Sequence, residues 1–432
     1  MPYDVAVIGG GASGLAAAIA AARAGARTVV VERDVACGLS ILATGNGRCN
    51  LSNADLDPAR YRHPDAARAV MGPRPEADVA AFFDSLGLMT CDVDGRLYPI
   101  TRRAESVRDV LLDAARRAGV ELRCGCSVEG ASREGSAWAI RLRVPERPPR
   151  VHHDASGKLD LRRARRALGA ERLVEGEISA ASVVVAVGGA PVLAREAFGL
   201  PYADGPAVLC PIACEEPAWD TDALRRLDGL RVEAALSLVR DGEELHAEAG
   251  EVLFRSYGIS GIVAFDLSRR VRAGDEIQID LFPGIPTGDL IGRFRVREEA
   301  VGTFDGRDAA WFDGVLARPL ARTVLALAAA DPSGISDGLR GDALTRCAKL
   351  CKRMPLTAIG LAEERQAQVR RGGVPMGVVD AATLAVHGIE GLHVCGEALD
   401  QDADCGGFNL AWAWLSGLRA GEAAARGAGA GR

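Results

Sequence analysis

Apolar and polar positions near the start of the chain form blocks that predict a strand, a helix and a second strand. Residues 4–8 are a short, mostly apolar run, residues 15–24 are rich in alanine and contain no proline, and residues 28–32 are a second apolar run that ends in an acid. Between the first strand and the helix, residues 9–14 fit the pattern G-x-G-x-x-G. This is the βαβ fingerprint of dinucleotide binding in its proper context.

Each part of the fingerprint has a physical role. Gly9 permits a sharp turn, Gly11 lets the backbone approach a pyrophosphate, and Gly14 allows close packing of helix and strand. The helix N-terminus offers free N–H groups to the phosphates, and Glu32 is placed to accept hydrogen bonds from a ribose. The predicted contacts here are Gly9, Gly11, Ala12, Ser13, Gly14, Glu32 and Arg33.

Later segments predict a second end of the same cofactor site. An apolar strand over 181–187 ends in glycine, a strand over 391–397 ends in an acid, and a glycine turn at 406–407 opens another helix. Residues 37–53 are rich in Gly, Asn and Ser, which indicates a loop close to a ligand, with a plain surface loop as the alternative. This two-ended arrangement favours FAD over NAD alone. The further predicted cofactor contacts are Asn46, Arg48, Cys49, Asn50, Val128, Gly188, Gly396, Glu397, Gly407, Phe408, Asn409 and Leu410.

The middle of the chain has a different character. A hairpin on Asp241-Gly242 and a strand over 276–281 precede helical patterns near 290–301, 309–330 and 342–353. We therefore expect an α/β fold with an inserted domain that is β-rich first and helical afterwards. The predicted division is 1–195 and 361–432 for the cofactor domain and 196–360 for the insert, and 145–175 is expected to be a surface excursion.

Composition narrows the class of protein. Hydrophobic residues make up 48% and charged residues 25% of the 432 residues, as in ordinary soluble proteins, and the net charge of −6 argues against nucleic-acid or anionic-membrane partners. A signal peptide and an apolar run of transmembrane length are not visible, so a cytoplasmic protein with a small-molecule substrate is expected. The 11 cysteines include no Cys-x-x-Cys pair, which disfavours a thioredoxin-reductase type of relay, and no metal site is predicted.

Several motifs together resemble a known family. They are 42–50 (LATGNGRCN), 257–261 (YGISG), 372–374 (GGV), 396–400 (GEALD) and 406–413 (GGFNLAWA). The chain is similar in these to the HI0933-like flavoproteins, which include the bile-acid reductase type called BaiN and aminoacetone oxidases. The resemblance implies a glutathione-reductase-type FAD-binding Rossmann domain with an inserted β-rich and helical domain. It also implies flavin-dependent redox chemistry, often the reduction of a carbon–carbon double bond conjugated to a carbonyl.

The leading functional hypothesis is an enone-type reductase whose FAD is re-reduced by NAD(P)H. Hydride addition to the β-carbon of an enone requires a donor to the enolate oxygen and a proton for the α-carbon. Tyr257, Arg48 and Arg255 are the candidates, with Tyr257 preferred as the acid and a packed aromatic ring as its alternative reading. The alternative functions are an amine or aminoketone oxidase that uses oxygen, and a non-catalytic or RNA-modifying flavin protein.

Overall fold

The computed structural model describes residues 2–154, 159–188, 191–216, 222–330 and 341–429. The chain forms two compact units, Met1–Pro206 with Val369–Arg432, and Ala207–Gln368. Each unit has its own cluster of buried hydrophobic residues. The divisions expected from the sequence, after residues 195 and 360, stay predictions.

The N-terminal part of the first unit alternates strands and helices. Its strands are β1 (Tyr3–Ile8), β2 (Thr28–Glu32), β3 (Ser52–Asn53), β4 (Thr90–Val93), β5 (Arg96–Pro99), β6 (Glu121–Cys124), β7 (Ser127–Glu134), β8 (Ala137–Pro145), β9 (Leu173–Val185) and β10 (Ala203–Val208). Its helices are α1 (Ala12–Arg23), α2 (Pro64–Met71), α3 (Pro75–Leu86), α4 (Ala104–Arg117), α5 (Leu161–Ala170) and α6 (Pro191–Phe198).

The second unit is built on a closed barrel. Its strands are β11 (Ile212–Glu215), β12 (Arg231–Arg240), β13 (Glu243–Arg255), β14 (Gly258–Ser260), β15 (Glu276–Asp280) and β16 (Met354–Leu361), and they follow the order β11-β14-β13-β12-β15-β16. Its helices are α7 (Ala223–Leu227), α8 (Ile262–Ser268), α9 (Thr287–Val301), α10 (Arg318–Ala330) and α11 (Ala343–Lys352). The barrel closes where β16 pairs with β11.

The chain then returns to the first unit with β17 (Val369–Gly373), β18 (Leu392–Val394) and α12 (Phe408–Gly429). The central sheet has the order β6-β2-β1-β9-β8-β7, and β18 pairs with β9. Strands β6, β2, β1, β9 and β18 are mutually parallel, whereas β7, β8 and β9 form an antiparallel meander. The predicted βαβ unit and the return of two later strands to it are confirmed. This is the predicted Rossmann fold with an added β-rich and helical unit.

The predicted hairpin is also confirmed, because β12 and β13 pair antiparallel around Asp241 and Gly242, whose φ values are +52° and +83°. The described residues of the excursion predicted over 145–175 lie largely at the surface, as expected, and hold α5 and the first residues of β9. Residues 155–158 of that prediction lie outside the described residues. One expectation was wrong. The helix predicted over 309–330 is a short 3₁₀ turn, Ala309–Phe312, followed by α10.

Within the described ranges, no helix has both the length and the hydropathy that crossing a membrane requires.

Candidate dinucleotide site

The turn after β1 is shaped by backbone contacts that leave no room for side chains. Gly9 has a φ of +103°, and a Cβ atom on Gly14 would lie 1.9 Å from the Gly9 carbonyl oxygen. The first hydrogen bond of α1 runs from the Leu15 N–H to the Gly11 carbonyl at 3.0 Å. The N–H groups of residues 12–14 precede that bond, so they point out of the helix end without an intrahelical acceptor. The predicted residues therefore form a ready anion site.

Glu32 lies at the end of β2 and is tied to this turn. The Gly10 N–H donates to its Oε2 at 2.7 Å, and the Asp34 N–H donates to its Oε1 at 2.7 Å. An ionised carboxylate has about four acceptor sites, so capacity for ribose hydroxyls remains. The next predicted residue, Arg33, is exposed.

The polar loop after β2 contains a buried acceptor without a donor. Asn50 Oδ1 is shielded from solvent and has no hydrogen-bond partner among the residues that the structure describes. A buried acceptor without a donor lowers the stability of the folded protein by about 1–3 kcal/mol, unless a ligand donates a hydrogen bond to it. Nearby, Cys49 is fully buried, and burial raises the pKa of its thiol to about 11, so it stays protonated at neutral pH. Asn46 and Arg48 are exposed.

The turn at Gly396, which follows β18, lies directly against the start of α1. The Gly396 N–H donates to Ser416 Oγ at 3.0 Å, and Trp412 Nε1 donates to the Gly396 carbonyl at 3.0 Å. A Cβ atom on Gly396 would lie 2.3 Å from Ser13 Oγ. The structure thus brings Gly396, a predicted cofactor contact, against Ser13 of the first predicted glycine turn. Ser416 and Trp412 were missed, because nothing in a helical apolar pattern marks a residue that supports a distant turn.

Glu397 follows that turn and has an unusual environment. Burial, together with the nearby Asp402 carboxylate, raises the pKa of Glu397 to about 7. Its Oε2 lies 3.7 Å from the position that a Cβ atom on Gly188 would occupy. Asp402 is itself held by Arg371 through two hydrogen bonds of 3.0 and 3.1 Å. Gly188, which follows β9, and Glu397, which follows β18, therefore lie close together, and both are predicted cofactor contacts.

The start of α12 provides a second set of N–H groups. The first intrahelical bond runs from the Ala411 N–H to the Gly407 carbonyl at 2.9 Å, so the N–H groups of residues 408–410 precede it. The Asn409 side chain accepts from the Ala403 N–H and donates to the Ala403 carbonyl, both at 2.9 Å. Asn409 therefore fixes the preceding loop with its amide, and its backbone N–H remains for a ligand.

An ion-pair network behind this loop was not foreseen. Residues 60–63 pair with residues 400–404, through Arg62 and Asp400 at 2.7 Å and through Arg60 and Asp404 at 3.4 Å. The alternating acids in Asp400-Gln401-Asp402-Ala403-Asp404 are a visible signal, but their partners are more than 300 residues away.

The predicted catalytic residues fall in both units. In the second unit, the Arg255 guanidinium carbon lies 5.5 Å from the centre of the Tyr257 ring, and Arg255 Nε lies 3.3 Å from Asp228 Oδ1. The Tyr257 hydroxyl is shielded from solvent and forms no well-oriented hydrogen bond with a described residue. Burial and the nearby Glu363 carboxylate raise the pKa of Tyr257.

Arg48 belongs to the first unit, as does Val128, which pairs with Leu142 across β7 and β8.

The donors and acceptors of the first unit fit an adenine dinucleotide. The unit holds two helix N-termini with free N–H groups, one orphaned acceptor and glycine turns that exclude side chains, and a carboxylate ends β2. Phosphates match the N–H groups, a ribose matches Glu32, and a flavin edge has N–H groups that match an amide oxygen.

Comparison with known proteins agrees with this geometry. The chain is 30% identical to a 3-dehydro-bile acid delta(4,6)-reductase of Clostridium scindens, over 98% of each chain. It is 22% identical to a ribosomal RNA dihydrouridine synthase of Escherichia coli, over 96% of each chain. A flavocytochrome c3 fumarate reductase in its open conformation is 16% identical, with a TM-score of 0.46 over 99% of this chain and 78% of that one. The model of the HI0933-like protein Rossmann domain matches residues 3–147 and 160–423. The chain therefore belongs to the HI0933-like family and is an FAD-dependent oxidoreductase.

Proposed function

We propose that this protein reduces a carbon–carbon double bond conjugated to a carbonyl, with NAD(P)H as a transient electron donor. The observation that carries the proposal is the end-to-end similarity to the 3-dehydro-bile acid delta(4,6)-reductase, at 30% identity over 98% of both chains. The candidate dinucleotide site of the first unit supports this proposal, because its donors and acceptors match the chemical groups of FAD. The substrate class in this proposal is an enone on a steroid-like or other apolar skeleton.

The residues of the first unit have distinct tasks in holding FAD. The N–H groups of residues 12–14 bind the pyrophosphate, and Glu32 accepts from the adenosine ribose. The N–H groups of residues 408–410 and Asn50 Oδ1 serve the flavin end. When bound, FAD supplies the two-electron redox chemistry, and the protein supplies position and protons.

Tyr257 is the proton donor in this proposal. Its phenol is protonated at neutral pH, which a general acid requires, and the raised pKa makes it a weaker acid than a free tyrosine. Its hydroxyl hydrogen is not committed to a well-oriented acceptor among the described residues. Arg255, beside the ring, and the exposed Arg48 are the candidate cations for a developing enolate oxygen.

The first test is spectroscopic. The purified protein is loaded with FAD, reduced without oxygen by NADH or NADPH, and then mixed with a 3-oxo steroid that has a conjugated double bond. Loss of the flavin absorbance followed by recovery with the enone is the expected result. Recovery with oxygen only, after reduction by an amine, would instead indicate the oxidase alternative.

The proton-donor role is tested with Tyr257→Phe. We expect the rate of enone reduction to fall by about 100-fold or more, with FAD content and reduction by NAD(P)H unchanged. Tyr98→Phe is the matched control, because Arg102 lies 4.6 Å from the Tyr98 ring centre in a similar stack. Unchanged turnover in Tyr257→Phe would remove Tyr257 from the mechanism.

A second candidate function is the reduction of uridine in RNA. It is favoured by the similarity to ribosomal RNA dihydrouridine synthases, at 22% and 24% identity over at least 95% of both chains. The exposed arginines of α5, Arg162, Arg163 and Arg166, offer a basic surface despite the net negative charge. Incubation with NADPH and ribosomal RNA lacking the modification separates the two candidates, because dihydrouridine forms only in the second case.

A further inference from the structure

Two cysteines lie beside the dinucleotide turn and have no part in the function proposed above. Cys37 Sγ lies 3.7 Å from Cys124 Sγ, although the residues are far apart in sequence. Cys37 is buried, and Cys124, the last residue of β6, is partly exposed. The structure holds both as free thiols.

We propose that Cys37 and Cys124 are a redox-active pair, which a hydroperoxide converts into a reversible disulfide that weakens dinucleotide binding. The first half of the proposal rests on the sulfur geometry. The second half rests on the proposed FAD site.

The distance is suitable for a disulfide. The sulfurs must approach by about 1.7 Å to go from 3.7 Å to the bond length of about 2.05 Å. Residue Glu32, the last of β2, pairs with Cys124 of β6, and Cys37 lies in the loop that follows β2, so the two cysteines are carried by neighbouring segments. A small movement of the loop after β2 is therefore sufficient to bring the sulfurs together.

The two thiols are chemically unequal, which favours a directed reaction. The hydrogen bond with Cys37 lowers the pKa of Cys124, and the same bond, with burial, raises the pKa of Cys37. The more exposed sulfur is therefore also the better thiolate. Of the charged groups near the pair, Arg108 favours the thiolates and the Glu32 carboxylate opposes them.

The reaction proceeds in two steps. The Cys124 thiolate attacks one oxygen of hydrogen peroxide, the O–O bond breaks, and a sulfenic acid forms as hydroxide leaves. The Cys37 sulfur then attacks the Cys124 sulfur, the S–O bond breaks, and the proton of Cys37 leaves with the oxygen as water. In total, two thiols lose two electrons and one peroxide becomes two waters. A thiol reductant such as dithiothreitol reverses the bond by exchange.

Both sulfurs are connected to the turn that holds the pyrophosphate. Cys37 Sγ lies 2.5 Å from the position that a Cβ atom on Gly10 would occupy, and the Gly38 N–H donates to the Gly10 carbonyl at 2.7 Å. On the other side, the Cys126 N–H donates to the Glu32 carbonyl at 2.9 Å. Drawing the sulfurs together therefore pulls on Gly10 and Glu32 at once, and we expect the oxidised site to fit a dinucleotide less well.

The disulfide is tested on the full-length protein by peptide mapping. Reduced protein is treated with hydrogen peroxide, alkylated and digested with trypsin, which releases Cys37 in peptide 34–48 and Cys124 with Cys126 in peptide 124–133. The expected result is a cross-link between these peptides, absent with dithiothreitol, lost in Cys124→Ser and kept in the control Cys126→Ser. Absence of the cross-link, or its loss in Cys126→Ser but not in Cys124→Ser, would overturn the proposal.

The effect on binding is measured by titrating FAD into reduced and oxidised protein. We expect oxidation to weaken FAD binding by about tenfold, with full recovery in dithiothreitol and no effect of peroxide on Cys124→Ser. Equal affinity in a fully cross-linked sample would refute the coupling while leaving the disulfide intact. Reduced protein that binds no FAD would refute the proposed function and with it the coupling, whereas the peptide map decides the disulfide independently.

Discussion

One helix contact in each unit shows packing by opposite means. In the first unit, α12 approaches α1 so closely that a Cβ atom on Gly421 would lie 2.1 Å from the Ala17 carbonyl oxygen. In the second unit, the helical part is filled by aromatic rings, with Phe304 and Trp311 centred 4.8 Å apart and Trp311 and Phe312 5.0 Å apart. The contact of α1 with α12 depends on the absence of side chains, whereas the helical part of the second unit depends on large ones.

The difference shows where substitutions are expected to do harm. Adding atoms damages the contact of α1 with α12, because the atoms they meet belong to backbone that cannot move aside. Removing atoms damages the aromatic cluster of the second unit, because it leaves a cavity. The contact of α12 with α1 also has a functional consequence, since it supports the helix whose N-terminus faces the predicted pyrophosphate.

The largest expected effect comes from Gly14→Ala. The new Cβ atom would lie 1.9 Å from the Gly9 carbonyl oxygen, so the turn must open. We expect a loss of more than about 5 kcal/mol in the free energy of unfolding, or no retention of FAD after gel filtration. Gly169→Ala on α5 is the control, because no atom lies within 4 Å of its added carbon. Normal FAD retention in Gly14→Ala would contradict the reading of the turn.

Phe312→Ala is expected to act on the second unit. Its ring is fully buried and lies within 6 Å of three other aromatic rings. The cavity should cost about 4 kcal/mol in urea unfolding. FAD bound per folded molecule should change by less than about twofold if the first unit holds the cofactor. If FAD affinity falls together with the free energy of unfolding, Phe312 is not confined to a structural role in the second unit.

The same substitution should have opposite signs in two helices. Gly421→Ala on α12 places a carbon against the backbone of α1, and we expect a loss of about 2–3 kcal/mol. Gly292→Ala on α9 meets no atom within 4 Å, so it should stabilise the protein by about 0.5–1 kcal/mol. Urea denaturation of both variants provides the measurement. Equal signs would rule out the close approach of α12 to α1.

A smaller effect than the loss in Gly421→Ala is a pH dependence at Glu397. Because the pKa of Glu397 in the folded state is about 7 and its ordinary value is 4.5, its contribution is fully present below pH 4.5 and is lost as the pH rises through 7. This shift in the pKa of Glu397 corresponds to a change of at most about 3 kcal/mol in the free energy of unfolding. The partial exposure of the Glu397 side chain reduces that change to about 1–2 kcal/mol. Glu397→Gln should therefore stabilise the FAD-free protein at pH 8 but not at pH 4.

The exposed Glu299 provides the control for that experiment. Glu299→Gln should leave the pH dependence of unfolding unchanged. If the free energy of unfolding of Glu397→Gln has the same pH dependence as that of the unsubstituted protein, ionisation of Glu397 does not destabilise the folded state.

The parts of the fold that follow from local pattern were predictable. The βαβ unit, the Asp241-Gly242 hairpin and the start of α12 depend on periodicity and on glycine at fixed places, and both are visible in a single sequence. The start of β9 within the surface excursion over 145–175 was not predicted, because these strand residues are largely exposed. Barrel closure by β16 was not predicted, because its partner β11 is more than 130 residues away.

By itself, the sequence determined the family, the cofactor fingerprint and most elements, because short-range sterics and hydrophobic period decide them. Tertiary structure alone decided which distant groups meet. It placed Ser13 against Gly396, Arg62 against Asp400, and Cys37 against Cys124. These contacts depend on the path of the whole chain, which no local pattern encodes, and they are the ones that complete the site and connect it to a redox-active pair.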